Sequence, residues 1–565
     1  MQIRKVIIRR FRGIRSFEWR PTPSLTCIVG PGDTCKSTIL DALEFALGTR
    51  WAVFTDVDFN GGDTTQPIEI EVTVGQLPQE AQRENRMGLH LRGWRTTGDL
   101  HDEPEDDDEP VVTVKLSVDS SLEPVWELIT DRQDPRPLST RDRALFGLVR
   151  LGGDAERHLT WGQGSALARL SSDKSQASPL LADAYRKARD LLKAGTLPTL
   201  DVVATRVREE AIKLGAYAGS EYSAGLDTQR SAMSLGSLAM HGDGVPLRLA
   251  GLGTRRLVAL AVQQLSIPEG AIVLIDEIEH GLEPHRIRYA LKVLRDALSA
   301  GSGAGQVILT THASTSVVEL SCEQLSICRR GQDDGVELRS PTARLQSLVR
   351  RVPEAFLSRC VLVCEGKTEV GLLRGLRDFW AKRHDDEPIE SRGVLMADGN
   401  GQEAVATASE MAGLGYTVAV FRDSDVPLGG EEVLKLQKLK IEVFEWEGAF
   451  STEERLLLDV STSVVQEVLD LAYDYCGEES VLDSIRDVLG TQEKLSRTFS
   501  SWILEGKGES DFRTAIGTTA KKKAWFKLVD RGERVGLLIA TELAQSELSP
   551  MAKTLAATEA WAYGQ

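Results

Sequence analysis

The chain has no apolar run long enough to cross a bilayer, and its first residues, MQIRKVIIRR, lack the apolar core of a signal peptide. Both absences argue against a membrane class and for a cytoplasmic protein. No CxxC occurs, and no histidine stands at zinc spacing from the seven cysteines at 27, 35, 322, 328, 360, 364 and 476. Thiols so scattered suit a reducing compartment and argue against structural zinc. Positive charge is outweighed: 67 Lys and Arg face 84 Asp and Glu, a net −17, which argues against diffuse, charge-driven binding of nucleic acid. A local basic strip or a bound metal can still serve a DNA partner. What remains is a soluble globular composition, 41% hydrophobic and 27% charged over 565 residues, too long for one core. Roughly two to four domains are expected.

The apolar run Leu25 to Val29 leads into Gly30-Pro31-Gly32-Asp33-Thr34-Cys35-Lys36-Ser37-Thr38 and then a helical pattern over Ile39, Leu40, Leu43, Ala46 and Leu47, with Gly48 as a stop. Strand, glycine-bearing loop, Lys-Ser and helix make up a phosphate-binding loop. Its backbone N–H groups and helix N-terminus cradle phosphate, Lys36 reaches the β/γ-phosphates and Ser37 coordinates Mg²⁺. Cys35 stands where the pattern has glycine, and its Cβ is expected to crowd the turn.

Before the loop, Gln2 to Arg10 reads as a strand, and Arg4, Lys5, Arg9, Arg10, Arg12, Arg15 and Arg20 make a solvated edge or a DNA-facing surface. After it, Ile68 to Val74 alternates apolar and acidic residues as a half-buried strand does, with Gln66 just before it as a candidate metal-sensing glutamine. HDEPEDDDEP, residues 101–110, is expected to be an exposed disordered loop. Residues 161–240 read as a helical insertion suited to dimerisation.

Further on, Leu249-Ala250-Gly251-Leu252-Gly253-Thr254-Arg255-Arg256 opens an apolar helix, and the buried strand Ile272 to Ile275 ends in Asp276 and Glu277. An Asp there can hold Mg²⁺ through water, and the Glu can orient an attacking water. Val307 to Leu309 ends in Thr310-Thr311-His312, where the histidine can contact the γ-phosphate.

GPGDTCKST, LAGLGTRR, LIDEIEHGLEP and TTH, with RRFRGI at the start, resemble an ATP-binding-cassette head of the structural-maintenance and recombination-repair type. The resemblance implies that Asp276 is the Walker B acid, Glu277 the catalytic acid and His312 the switch histidine. Gly251, Gly253 and Thr254 would be the signature completing a partner protomer's ATP site, although Ala250 stands near the place of the usual serine. A dimer sandwiching ATP is implied. The long coiled coil of the repair proteins has no room between residues 38 and 249.

A second unit is expected to begin after Pro341 and Pro353, at the buried strand Cys360 to Cys364, which runs into Glu365-Gly366-Lys367-Thr368-Glu369. Another buried strand, Tyr416 to Phe421, ends in Arg422-Asp423-Ser424-Asp425. Acids at the C-terminal ends of parallel strands sit where open α/β sheets bind ligands, and alternate residues of Asp-x-Asp point the same way. Convergent carboxylates with hard oxygen donors favour Mg²⁺ or Mn²⁺. This set resembles the Toprim fold, which implies metal ligation by Glu365, Asp423 and Asp425 and a second acid at Glu369; Asp398-Gly399-Asn400-Gly401 fits its glycine turn.

An ATP-binding-cassette head followed by Toprim resembles the OLD (overcoming lysogenization defect) nucleases, a family that includes the nuclease subunit of Gabija antiphage systems. The α/β fold implied is a P-loop head in two parts, residues 1–160 and 241–350, around the insertion 161–240, then Toprim with a C-terminal extension over 351–565. The function implied is two-metal DNA cleavage under ATP control in antiphage defence, by a homodimer or higher oligomer, with a helicase-like or other defence partner. A late lysine is also implied; of Lys521, Lys522, Lys523 and Lys527, Lys523 and Lys527 are favoured, and Glu453 or Glu454 as a further ligand. Two alternatives stand beside this: a nucleotide-sensing scaffold that recruits another effector, and a topoisomerase or primase using Tyr473 or Tyr475.

Overall fold

The computed structural model describes residues 1–49, 52–151 apart from 96, 239–299 apart from 243 and 266–268, 304–331, 335–543 and 549–565, with scattered positions between 158 and 202. The expected helical insertion therefore lies almost wholly outside the described residues. Two compact units form: Met1 with Thr140–Val307, the interposed unit, and Gln2–Ser139 with Ile308–Gln565, the flanking unit. The break expected near residue 350 falls inside the flanking unit.

The flanking unit opens with β1 (Gln2–Phe11), β2 (Ile14–Trp19), β3 (Leu25–Val29), α1 (Lys36–Leu47), β4 (Ile68–Gly75), β5 (Glu109–Val118) and β6 (Pro124–Ile129). An antiparallel sheet runs β2–β1–β4–β5, with β6 also on β5. Its alternating sequence puts Ile3, Val6, Ile8, Ile68, Ile70, Val72 and Val74 in the core. The charges between them pair across strands: Arg4 with Glu109, Lys5 with Glu18, Arg9 and Arg10 with Glu69, and Lys115 with Glu69. Much of the basic N-terminal stretch is thus spent inside the lobe. The acidic run is exposed over residues 103–107, as expected, and arginines meet it: Arg92 lies 3.4 Å from Asp102, Arg132 3.2 Å from Glu103, and Arg95 3.5 Å from Asp108.

In the interposed unit, β7 (Val149–Leu151) pairs in parallel with β8 (Ala271–Ile275), whose five residues are all buried. Helices α2 (Leu252–Leu265) and α3 (Pro284–Ser299) flank β8 in sequence, and β9 (Ala304–Thr310) carries the chain back to the flanking unit.

There β10 (Leu325–Arg330) runs parallel to β3, and β11 (Val336–Arg339) returns antiparallel. A second sheet follows from β12 (Cys360–Cys364), α4 (Lys367–Arg383), β13 (Val394–Asp398), α5 (Ala404–Gly413), β14 (Thr417–Arg422) and β15 (Glu442–Glu445). Its order is β13–β12–β14–β15, all parallel. Every residue of β12 is buried, as a central strand covered on both faces demands. After the sheet come helices α6 (Thr452–Asp459), α7 (Thr462–Cys476), α8 (Glu478–Leu489), α9 (Glu509–Lys523), α10 (Val529–Leu543) and α11 (Pro550–Tyr563), which share one core with it. Helix α4 crosses α10 glycine to glycine: a Cβ on Gly371 would stand 2.7 Å from Gly532 Cα, and one on Gly375 2.8 Å from Gly536 Cα.

Candidate functional site

The loop between β3 and α1 depends on unusual backbone. Gly30 has φ +147°, and a Cβ there would stand 2.5 Å from the Cys328 carbonyl of β10. Asp33 and Cys35 both adopt left-handed φ, 59° and 68°. Cys35 therefore takes the conformation that explains the usual glycine, at a cost of about 1–2 kcal/mol. Its thiol fits because residue 13 is glycine: a Cβ there would lie 2.8 Å from Cys35 Sγ. Burial raises the thiol's pKa above its ordinary value. Lys36 is buried, and its Nζ donates to the loop's own carbonyls at Gly30 (3.1 Å) and Pro31 (2.6 Å), while Ser37 is exposed. Thr34 Oγ1 donates to the Pro31 carbonyl, and Gly32 and Thr38 complete the loop. Gln66 lies on the wall of a cavity of about 440 Å³ with Arg9, Arg10 and Arg15. Exposed His312 follows β9 in the same unit.

β10 forms a wall to this loop. Cys328 Sγ donates to the Thr34 carbonyl at 2.9 Å, and Arg330 Nε donates to the Asp33 carbonyl at 3.3 Å. Arg329, between them, points to the opposite face, as strand alternation requires. There it donates to the carbonyls of Ser358 and Arg359, and its guanidinium lies 3.4 Å from the centre of the Tyr416 ring, at the start of β14.

In the interposed unit, Asp276 follows β8 and pairs with Arg150 of β7 at 2.9 Å. Glu277 has φ 47°. Arg256 on α2 is buried, which disfavours its charge, while Asp276, Glu277 and Glu279 favour it. Arg150 and Arg256 near the acids were not singled out in the sequence. Gly251 has open space where a Cβ would stand; a Cβ on Gly253 would meet the Gly281 carbonyl at 3.0 Å.

The acids of the second sheet gather at its C-terminal edge. Glu365, next after β12, is fixed by its backbone N–H on the Phe421 carbonyl, and its Oε2 accepts from the Asp423 N–H at 3.0 Å. Asp423 Oδ1 accepts twice from Thr452, from N–H and Oγ1, each at 2.7 Å. Glu369, in the first turn of α4, accepts from the Gly366 N–H at 2.9 Å. Buried Glu453 accepts from Thr368 Oγ1 at 3.4 Å. Burial, then the charge of Asp423, raises the pKa of Glu369 to about 8 and that of Glu453 to about 7. Burial also raises Asp423 and Glu365.

Asp425 turns to Lys521, whose Nζ lies 2.7 Å from Oδ2 and 3.6 Å from Glu454. Lys521, not the favoured Lys523, therefore meets the acids: it sits earlier on the last turn of α9, while Lys522 and Lys523 are exposed at the helix end. Lys527 is exposed, and its charge favours ionised Glu453. Of the two late acids, Glu453 faces the cluster; Glu454 accepts from Ser451 in capping α6, and those bonds with Lys521 outweigh its burial and lower its pKa. Asp398 pairs with Arg351 at 3.6 Å. Tyr473 is buried and donates to the Arg497 carbonyl, and Tyr475 lies beneath Arg531, so neither projects as a strand-transfer nucleophile would. Among the described residues, no three Asp, Glu, His or Cys side chains close on a common point as a finished metal cage.

A family model described as an AAA domain, putative AbiEii toxin, Type IV TA system, matches residues 171–319. An OLD nuclease from Thermus scotoductus (strain ATCC 700910 / SA-01) is 25% identical over 350 residues, 59% of this chain. The chain spans 63% of that relative's length. Among solved structures, the chain is similar to an Smc head domain from Pyrococcus furiosus, with an extended coiled coil and bound to the C-terminal domain of ScpA (13% identity, 62% of this chain, 98% of that one, TM-score 0.35). It is also similar to the recombination mediator RecF with ATP (14% identity, 60% and 99%, TM-score 0.31). The curated relative carries the same family name as the resemblance drawn from the motifs.

Proposed function

We propose that the protein is a nucleotide-regulated, metal-dependent DNA endonuclease, acting in defence against foreign DNA. The observation that carries this is the oxygen-only donor set at the sheet edge: buried Glu369 and Glu453 and half-buried Asp423, whose charges disfavour one another, with Glu365 beside them. Buried carboxylates that disfavour one another's charge fit a hard divalent cation. Glu365, Glu369, Asp423, Asp425 and Glu453 would hold magnesium or manganese. Such ions supply a nucleophilic water at neutral pH and neutralise charge on the leaving oxygen. Thr452 and Thr368 orient two of the acids, and Lys521 brings a cation to the side of the cluster where Asp425 sits.

The nucleotide end of the reading rests on Lys36 and Ser37 at the loop; Asp276, Glu277 and His312 keep the roles their motifs imply, and Gly251 and Gly253 that of completing a partner protomer's site. Lys36, held by loop carbonyls, offers its charge to a β/γ-phosphate. Exposed Leu249, Leu252 and Tyr289 around the Gly251 turn and on α3 suit a second copy of the chain. Residues 328–330 support control of cleavage by nucleotide, since one strand touches the phosphate loop on one face and the second sheet's approach on the other.

The test is nicking of plasmid DNA with Mg²⁺ or Mn²⁺ by wild type, Glu365→Ala and Asp423→Ala. Each variant should lose at least ~100-fold. Cleavage insensitive to both substitutions overturns the nuclease reading. The scaffold alternative predicts nucleotide binding without metal-dependent cleavage in the same assay.

A further inference from the structure

Arg422, which ends β14, is an arginine inside the protein at the edge of a cluster of acids. It is 6% exposed, and its three nitrogens go three ways. Nη1 donates to Glu445 Oε2 at 2.9 Å, on β15. Nη2 donates to the Val426 carbonyl at 2.6 Å, across the Asp423-Ser424-Asp425 turn. Nε lies 3.9 Å from Glu365 Oε2, at the end of β12. One guanidinium therefore ties the ends of three neighbouring strands, two of which bear the acids of the proposed cation site.

We propose that Arg422 is a positioning residue that prepares Glu365 to bind a divalent cation; the inference rests on the metal-dependent reading of that site. Both nearby cationic or N–H partners of Glu365, the Arg422 guanidinium and the Asp423 amide, lie at the same oxygen, Oε2. With Oε2 anchored, the carboxylate plane is set and Oε1 is the oxygen left to a metal. The Val426 bond holds the guanidinium against the turn that follows β14 and so keeps Nε facing Glu365. Glu445 keeps the guanidinium in place and offsets its charge, which would otherwise add to the repulsion of an incoming cation. A lysine could supply the charge but not the three-way fork. Arg422 touches neither substrate nor metal in this account; it acts through Glu365.

Outer groups that orient metal ligands commonly contribute 10- to 100-fold to metal affinity. The test is calorimetric titration of Mn²⁺ into full-length wild type, Glu365→Gln, Arg422→Gln, Arg422→Lys and the Glu365→Gln/Arg422→Gln double variant, with nucleotide affinity and thermal unfolding as controls on the fold. Arg422→Gln should weaken Mn²⁺ binding by about 10- to 100-fold, with nucleotide affinity unchanged. Arg422→Lys, which keeps the charge and substitutes for the glutamine variant should that one unfold, should lie between it and wild type. The double variant should bind no more weakly than Glu365→Gln alone, because a residue that acts through Glu365 has nothing left to position. If Glu365→Gln is weakened while Arg422→Gln and Arg422→Lys bind as wild type, or if the two losses multiply in the double variant, the positioning role is wrong and the site reading stands. Should Glu365→Gln itself bind Mn²⁺ like wild type, the site reading falls and takes the inference with it.

Discussion

Cys35 and Gly13 show how a departure from a motif is accommodated one contact away. The left-handed backbone at Cys35 favours glycine, and the thiol it carries needs the space that Gly13 leaves. Gly13→Ala should therefore destabilise the protein by roughly 1–3 kcal/mol through overpacking. Adding Cys35→Gly should remove most of that loss, measured as a double-mutant cycle by chemical unfolding. The acids obey a different logic. Glu453 titrates near 7 when folded and near its ordinary 4.5 when unfolded, so the folded state holds a proton that the unfolded state has released. Its contribution, and that of Glu369 with it, is present below the unfolded value and is lost as pH rises toward neutrality. Ten-fold tighter proton binding in the folded state is worth about 1.4 kcal/mol. Urea midpoints measured without metal should fall from pH 5 to 7, and Mg²⁺ should flatten the fall. Lys521→Met should reduce cleavage at least ~100-fold, whereas Lys523→Met, at the exposed helix end, should stay within a few-fold.

At the scale of elements, the α4–α10 crossing holds the acids in place. A Cβ on Gly375 would stand 2.3 Å from the Glu533 carbonyl, and one on Gly536 2.3 Å from the Leu372 carbonyl, both backbone atoms that cannot swing aside. Gly375→Ala and Gly536→Ala should each cost about 1–3 kcal/mol by forcing the helices apart. Because α4 carries Glu369 in its first turn, the same variants should weaken Mn²⁺ binding, which calorimetry reads independently of melting. This crossing was not legible in the sequence: GLLRGL gives helical spacing, and only the partner helix tells what its glycines are for. The buried strands were legible because runs such as CVLVC and AIVLI admit no exposed face, and the strand-end acids followed from them. Acids and bases far apart in sequence were not. The run at 101–110 looks unpaired until Arg92, Arg95 and Arg132 fold onto it, and Lys521 is indistinguishable from its neighbours until helix phase selects it. Arg422 hid for the same reason, since its partners come from three strands.

Over the flanking unit as a whole, β10 is a direct physical link between the phosphate loop and the second sheet. Cys328 and Arg330 hold the loop's carbonyls, and a change in loop shape on nucleotide binding has to be met by this strand. Arg329 passes any such shift to the opposite face, to the carbonyls of Ser358 and Arg359 just before β12 and to Tyr416, whose hydroxyl donates to the Phe356 carbonyl. β12 and β14 then end, a strand's length away, in Glu365 and Asp423. Coupling between sites usually amounts to about 1–3 kcal/mol, a 5- to 150-fold effect of one ligand on the other. Among the described residues Arg329 bonds to no carboxylate, so its charge rests on carbonyl dipoles and on the Tyr416 ring. Tyr416→Leu removes the ring and spares the carbonyl bonds, while Arg329→Gln removes the cation and keeps a donor. Both variants should retain nucleotide binding and metal-dependent cleavage, but the ratio of cleavage with ATP to cleavage without it should shrink to within about two-fold of unity. Lys36→Ala should give the same ratio by losing the nucleotide itself. A ratio unchanged from wild type in both Arg329→Gln and Tyr416→Leu, with Lys36→Ala abolishing it, would place the coupling outside β10.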